Sequence, residues 1–500
     1  MMEGRGDLIL AIDQSTSATK AVLIDRSGSV IGRASVGHRQ YYPQPGWVGH
    51  DAMEIYQNTL AAIGKVLEAS GVGEDRMAAL AITNQRETAL VWDRANGLPI
   101  DHAVVWQCGR GSAICERLQR EGKAALVQEK TGLVLSPYFS AAKIQWLLDN
   151  VPGARQSAEA GELLFGTMDS WLLWKLTGGA VHAADYSNAC RTQLFNIRTL
   201  CWDDELLDLF RIPRGMAPQV RCSDEVFGHT APGCGFSRPV PIAGLMGDSH
   251  AALFGQNCFA MGQAKATYGT GSSVMMNVGK APVFSVKGLV SSLAWGRAGT
   301  VDYVLEGNIN SAGDTIRWLA EDLEMILEAS VAGPIAATVP DNGGVYLVPA
   351  FTGLGAPHWD SAARASITGI TRGVRRAHVV RAAMESIAYQ VKDILDLMIG
   401  ESGVALSELR VDGGPTRDDF LMQFQADMLG VPVARSAVEE LSALGAVYMA
   451  GLAVGLWSGL DEIAALRPAA QPFDCSMKYA DRERYYTGWR EAVRRTLSAT

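Results

Sequence analysis

Residues 8–32 read LILAIDQSTSATKAVLIDRSGSVIG. An apolar run ends at Asp13, a polar turn follows from Gln14 to Thr19, and a second apolar run spans Ala21 to Ile24. Asp25-Arg26-Ser27-Gly28 then turns the chain into Val30-Ile31, so the pattern predicts strand, turn, strand, turn, strand. Short apolar runs such as Ala78 to Ile82 and Leu90 to Trp92 alternate with helical stretches such as Met53 to Leu67, the signature of a mixed α/β layer architecture. The second half repeats the theme. Ala264 to Thr267 runs into the small-residue turn Tyr268-Gly269-Thr270-Gly271-Ser272-Ser273, and Val274-Met275-Met276 follows. Farther on, Leu409-Arg410-Val411 leads through Asp412-Gly413-Gly414-Pro415-Thr416 into a helix whose Leu421, Phe424 and Met428 recur at spacings of three and four. Two lobes, each opening with a polar hairpin, imply an internally duplicated fold with a cleft between residues 1–254 and 255–500.

A chain of 500 residues exceeds what one hydrophobic core organises, which agrees with two large lobes. Hydrophobic residues at 48% and charged residues at 19% predict folding throughout. The net charge of −9 is spread without basic blocks, which argues against nucleic acid as a partner and leaves any polyanion to be held by local amides, a metal ion and one or two cations. Eight cysteines show no C-x-x-C pair and no histidine partner at zinc spacing, so they read as reduced thiols in a cytoplasmic protein. The apolar run Leu8 to Ile12 is too short for the core of a signal peptide. Leu441 to Leu460 carries no charge for twenty residues, the length of a bilayer span, but Gly445, Gly451, Gly455 and Gly459 favour a buried central helix over a membrane segment.

Phosphoryl transfer requires positioning and charge neutralisation more than covalent chemistry, and small-residue turns let backbone amides approach phosphates. The turn after Asp13 offers the hydroxyls of Ser15, Thr16 and Ser17 with Lys20 in reach, and Asp13 can hold a magnesium ion through water. Taken alone, such a turn is commonly just a turn. No G-x-x-x-x-G-K-[ST] occurs, and Gly269-Thr270-Gly271 lacks the third glycine of a dinucleotide fingerprint. Gly247-Asp248-Ser249-His250-Ala251 is not G-x-S-x-G, and adjacent Ser249 and His250 are poorly disposed to act as a hydrolytic pair.

Longer motifs are more specific. Ile82-Thr83-Asn84-Gln85-Arg86-Glu87-Thr88, Val104-Val105-Trp106-Gln107-Cys108 and Ser136-Pro137-Tyr138-Phe139-Ser140 are joined by Phe165-Gly166-Thr167 with Asp169, by Pro349 to Pro357, by Val411-Asp412-Gly413-Gly414 and by Leu444-Gly445-Ala446. Together with Tyr138-x-Ser140-x-x-Lys143-Ile144-x-Trp146-Leu147-x-Asp149-Asn150 and Ala365-x-Ile367-x-Gly369-Ile370 followed by His378-Val379-x-x-Ala382-Ala383-Met384-Glu385, they resemble the FGGY carbohydrate kinase family from Asp13 to about Trp489. The resemblance implies a duplicated actin-like, ribonuclease-H-type fold with ATP on the C-terminal lobe. It implies transfer of a phosphoryl group from ATP, with Mg2+, to a terminal hydroxyl of glycerol, giving sn-glycerol 3-phosphate and ADP. Alternatives are a four- or five-carbon polyol or ketose as acceptor, or a non-catalytic ATP-binding protein on the same fold.

By the same resemblance, Thr16, Ser17, Ala18 and Lys20 face the phosphates, Thr270, Gly313 and Arg317 line the nucleotide site, and Gly414 and Asp418 lie at its adenosine end. Asp248 is implied as the catalytic base and Asp13 as the metal residue, with Arg86, Glu87, Trp106, Tyr138, Asp248 and Ser249 around the acceptor. Each of these has a bland counterpart: Asp248 as a helix cap, Arg86 with Glu87 as a surface ion pair worth under ~1 kcal/mol, Trp106 as core. The chain departs from the glycerol-phosphorylating pattern in Ser249-His250 where two glutamines are usual, in Ser273 where an aromatic is usual, and in Lys20 for an arginine, which keeps charge but loses the bidentate fork. A wider, more polar acceptor pocket is expected. Gly109 and Arg317 also depart and have no account. A homo-oligomer, dimer or tetramer, accompanies the resemblance. Lobe closure around nucleotide and acceptor should contract the small-angle scattering profile, and a profile unchanged by saturating amounts of both contradicts that expectation.

Overall fold

The computed structural model describes residues 6–466 and 470–498. The predicted opening forms as strands Leu8–Gln14, Ala18–Asp25 and Val30–Gly37, an antiparallel meander. Leu8–Gln14 also pairs in parallel with Met77–Asn84, which pairs in parallel with Pro241–Gly247. Numbered within the sheet by chain order, the strands therefore lie third, second, first, fourth, fifth, with Val226–His229 added at the edge. Every residue of Leu8–Gln14 is buried, as expected of a central strand covered on both faces.

The second half rebuilds the same order. Gln263–Tyr268, Ser272–Gly279 and Thr300–Ile309 are antiparallel neighbours, and Gln263–Tyr268 pairs in parallel with Glu408–Asp412, itself parallel to Val433–Arg435. Val290–Arg297 and Gln471–Phe473 extend its edges. This repeated plan is the duplicated actin-like arrangement expected from the sequence. Within the first half, a smaller sheet that includes Ala89–Asp93 and Leu163–Thr167 receives the chain directly after Met77–Asn84, so Gln85–Thr88 is stretched between two sheets.

A shared apolar core joins the halves: Ile9, Ala11 and Val22 of the first sheet and Met275 and Val304 of the second cluster with Leu253, Leu444 and Val447. The last three belong to helices Asp248–Gly255 and Leu441–Val454, which pack on each other. Their backbones meet at glycines. A Cβ on Gly445 would sit 1.8 Å from the Ala251 carbonyl oxygen, and one on Gly255 would sit 2.3 Å from that of Leu441. The uncharged segment from Leu441 is thus the buried helix expected, but it is shorter than its composition suggested. Gly455 takes φ 72° and its N–H returns to Gly451 O and Leu452 O, which ends the helix at Val454. Among the described residues no helix is long and apolar enough to cross a membrane.

Gly445→Val should force these helices apart. A loss of roughly 1–3 kcal/mol or more is expected from overpacking, read as a lower urea midpoint and reduced soluble yield. An unchanged midpoint contradicts the close approach.

Candidate active site

Parallel strands of an α/β sheet present their carboxyl ends to a common crevice. Here Leu8–Gln14 ends on Asp13-Gln14, Met77–Asn84 delivers Gln85-Arg86-Glu87, Pro241–Gly247 delivers Asp248, Gln263–Tyr268 delivers Thr270, and Glu408–Asp412 delivers Gly413-Gly414. A cavity of about 960 Å³ opens between the halves, bordered by Thr16, Arg86, Glu87, Trp106, Tyr138, Asp248, Ser249, Thr270 and Ser273.

Arg86 is buried, and its two terminal nitrogens donate to Glu306 Oε1 and Oε2 at 2.7 and 3.0 Å. Its Nε lies 3.4 Å from Asp248 Oδ1 and 3.9 Å from Glu87 Oε1. Glu87 Oε1 accepts from Arg191 Nε at 2.6 Å, and Arg191 also pairs with Glu306 Oε2 at 2.9 Å. Burial alone would raise the Glu306 carboxyl, but Arg191 and Arg86 outweigh it and hold the group well below the usual range. Glu87 adopts φ 60°, a left-handed conformation sparsely populated by non-glycine residues. Thr88 N donates to Arg86 O across this tight turn, and Ser140 Oγ donates to Glu87 O.

Asp248 opens the helix Asp248–Gly255, with its side chain 39% exposed to the cavity and Oδ1 accepting from Ser249 N at 2.6 Å. Trp106 stands edge-on to Tyr138 at 5.6 Å between ring centres, and its Nε1 donates to Thr16 Oγ1 at 3.0 Å. The Tyr138 hydroxyl is pushed upward by burial and by Glu87, so it is neutral. Behind it, Lys143 Nζ donates to the carbonyls of Pro137, Tyr138 and Phe139.

On the second half, Gly313 N donates to Gly269 O at 3.0 Å, linking the Thr270 turn to the helix Gly313–Glu321. Beyond this contact lies a cavity of about 640 Å³, walled by Ile316, Met384 and Ile387 and edged by Gly313, Gly414 and Asp418. An apolar wall with a few polar groups suits an aromatic base. Asp418 caps the helix Asp419–Leu429 through Leu421 N at 3.0 Å and accepts from Gly333 N at 3.1 Å, so it braces two walls.

The structure therefore brings Thr16, Arg86, Glu87, Trp106, Tyr138, Asp248, Ser249 and Thr270 to one cavity and Gly313, Gly414 and Asp418 to the next. Five other candidates border neither cavity, among them Asp13, the metal candidate, buried near the carboxyl end of Leu8–Gln14. Ser17 is exposed at the hairpin turn, and Ala18 begins the strand Ala18–Asp25. Lys20 Nζ is drawn 2.9 Å from Glu440 Oε2 and 3.9 Å from Asp13 Oδ2. Arg317 pairs with Asp314 on its own helix and does not border the second cavity. Ser273 borders the first cavity with its Oγ buried and unpartnered, while His250 is fully buried with Nδ1 3.5 Å from Arg86. Burial and the Arg86 charge keep that imidazole neutral. His250 thus faces Arg86, which removes the hydrolytic pairing with Ser249.

Sequence reasoning missed Arg191, Glu306, Lys265 and Thr267. Glu306 carried a signal, a carboxylate amid the apolar run Tyr303-Val304-Leu305, since a charge in a buried strand demands a partner. Lys265, likewise buried in a strand, donates to Thr267 Oγ1 at 3.0 Å; burial pushes its ammonium downward while Asp412 opposes.

The chain matches the model of the FGGY family of carbohydrate kinases, N-terminal domain, over residues 8–255, and that of the C-terminal domain over 264–454. The protein is a member of the FGGY family of carbohydrate kinases. It is 53% identical over 490 residues to a glycerol kinase of Stenotrophomonas maltophilia (strain K279a), covering 98% of each chain, and 52% identical to glycerol kinase 1 of Thermotoga maritima, covering 98% of this chain and 99% of that one. A crystal structure of Plasmodium falciparum glycerol kinase with ADP superimposes with a TM-score of 0.95 at 35% identity, covering both chains fully. A ligand-bound xylulose kinase of Lactobacillus acidophilus shares the fold at TM-score 0.89 and 22% identity.

Burial pushes the Asp13 carboxyl up to about 7, with Lys20 opposing and Asp248 and Glu440 adding to the rise. A group whose folded value lies above its unfolded value of 3.8 favours the fold at low pH, and that contribution is lost as pH rises through about 7. Asp13→Asn should therefore be more stable than the parent above pH 8, by on the order of 4 kcal/mol at most, and equal to it near pH 4. Equal urea midpoints at both pH values contradict the strained carboxylate.

Proposed function

We propose that this protein transfers the γ-phosphoryl group of ATP to a terminal hydroxyl of glycerol, giving sn-glycerol 3-phosphate and ADP. The observation that carries the reading is Asp248, a carboxylate exposed to the interlobe cavity beside Arg86 and Glu87. The extent of identity with curated glycerol kinases and the likeness to a glycerol kinase solved with ADP support the same acceptor and nucleotide.

In this mechanism Asp248 accepts the proton of the attacking hydroxyl as its oxygen approaches the γ-phosphorus, because a neutral alcohol is a weak nucleophile. Arg86 and Glu87 hold the neighbouring hydroxyls as donor and acceptor, Tyr138 adds a hydrogen bond, and the Trp106 face covers the carbon chain. Thr16 and Thr270 lie on the two hairpin turns, from which hydroxyls and amides reach the phosphates. Residues 1–254 supply the acceptor side and part of the phosphate site, and residues 255–500 supply the nucleotide side.

Magnesium fits the chemistry of the first turn. Burial, Asp248 and Glu440 elevate the Asp13 carboxyl against the opposing Lys20, and a nearby cation would relieve that elevation. No group of three metal-ligating side chains converges among the described residues, so Asp13 would hold the ion with water and phosphate oxygens. When bound, the ion neutralises charge on the transferring phosphoryl group. We take the eight scattered cysteines as reduced thiols of a cytoplasmic protein.

An ADP-release assay with glycerol, four-carbon polyols, and five-carbon polyols and ketoses tests the acceptor. Glycerol is expected to give the highest kcat/KM. Negligible turnover with glycerol beside rapid turnover with a longer polyol would transfer the assignment to that acceptor, for which the serine at position 273 leaves room.

A further inference from the structure

The residues given to the acceptor are tied to the opposite half of the chain, Arg86 directly and Glu87 by way of Arg191. Arg86 presents its full guanidinium fork to Glu306, a fully buried residue in the strand Thr300–Ile309 of the second sheet. Glu306 Oε2 also meets Arg191 NH1 at 2.9 Å, and Arg191 donates to Ser292 Oγ of the same sheet at 2.8 Å. Through its Nε, at 2.6 Å, Arg191 then fixes Glu87 Oε1. The Arg191 guanidinium lies over the Phe139 ring at 5.2 Å, next to Tyr138. Two arginines and two glutamates thus form a buried, charge-balanced chain in which one carboxylate from the opposite sheet contacts both cations.

We propose that Glu306 is a positioning residue for the acceptor subsite, fixing Arg86 directly and Glu87 by way of Arg191. A bidentate pair orients a guanidinium in its plane as a single point contact does not. The arrangement also protects the base. Arg86 Nε is already 3.4 Å from Asp248 Oδ1, and with Glu306 absent the freed guanidinium would turn onto Asp248 as its nearest remaining partner on the cavity side. Removing Glu306 therefore loosens the grip on the acceptor and also occupies the proton-accepting oxygen, while the nucleotide cavity around Ile316, Met384 and Asp418 is untouched.

This inference rests on Arg86 and Glu87 binding the acceptor. Steady-state kinetics on full-length Glu306→Gln and Glu306→Asp, with Arg86→Lys as reference and ADP affinity measured by titration calorimetry, test it. Both Glu306 variants should raise the glycerol KM on the order of 10- to 100-fold and lower kcat, with ADP affinity within about twofold of the parent; a purely structural role would lower ADP affinity and glycerol affinity together. Should Glu306→Gln fail to fold, Glu306→Asp and Arg191→Lys, which keep the charges but shorten or unfork the link, carry the same expectation. A folded Glu306 variant with the parental glycerol KM, beside Arg86→Lys with a raised one, overturns the positioning role alone. An unchanged KM in Arg86→Lys overturns the acceptor assignment beneath it.

Discussion

Four charged side chains, Arg86, Arg191, Glu87 and Glu306, are buried where the two sheets face each other. Taking an ion out of water costs several kcal/mol, and breaking a buried pair leaves that cost uncompensated. The cluster persists because each charge meets an opposite one within 3 Å: Arg86 with Glu306, Arg191 with Glu306 and Glu87. This requirement restricts how the sheets can sit on one another. It makes the floor of the cleft a fixed polar surface, against which Asp248 stands exposed at the edge.

Duplication supplies the rest. Each half folds an antiparallel meander beside parallel strands, and the carboxyl ends of the parallel strands converge on the crevice. The two hairpin turns are therefore equivalent positions, Thr16 in one half and Thr270 in the other, and both border the same cavity. The helices Asp248–Gly255 and Leu441–Val454 fill the space between the sheets, and glycine at 255 and 445 permits their contact. Their packing fixes Asp248, which begins one of these helices and whose carbonyl accepts from Ser442 Oγ of the other at 3.0 Å.

Much of this was legible in the sequence. The meander from Leu8 was written in alternating apolar runs and turns, and strands such as Ala78 to Ile82 could be read because buried parallel strands are continuous apolar runs. Arg86, Glu87, Tyr138 and Asp248 were legible through motif resemblance. Less visible was what depends on a partner remote in the chain. Nothing local to Lys20 announces that Glu440, 420 residues away, lies beside it, and Glu306 reads as one acidic residue until two arginines from the other half surround it. Arg317 shows a local pairing instead, with Asp314 one turn earlier on its own helix. Helix length also escaped composition: the uncharged stretch continued past Val454, but a left-handed glycine at 455 ended the helix.

The central claim is that the cleft places one carboxylate, Asp248, to take a proton from an alcohol while nucleotide binding is built from other residues. Single-turnover phosphoryl transfer to glycerol by Asp248→Asn, alongside its affinity for ATP, measures this most directly. The account predicts a rate lower by roughly 10²- to 10⁴-fold with ATP affinity preserved. A rate equal to that of the parent would contradict it and place the base elsewhere.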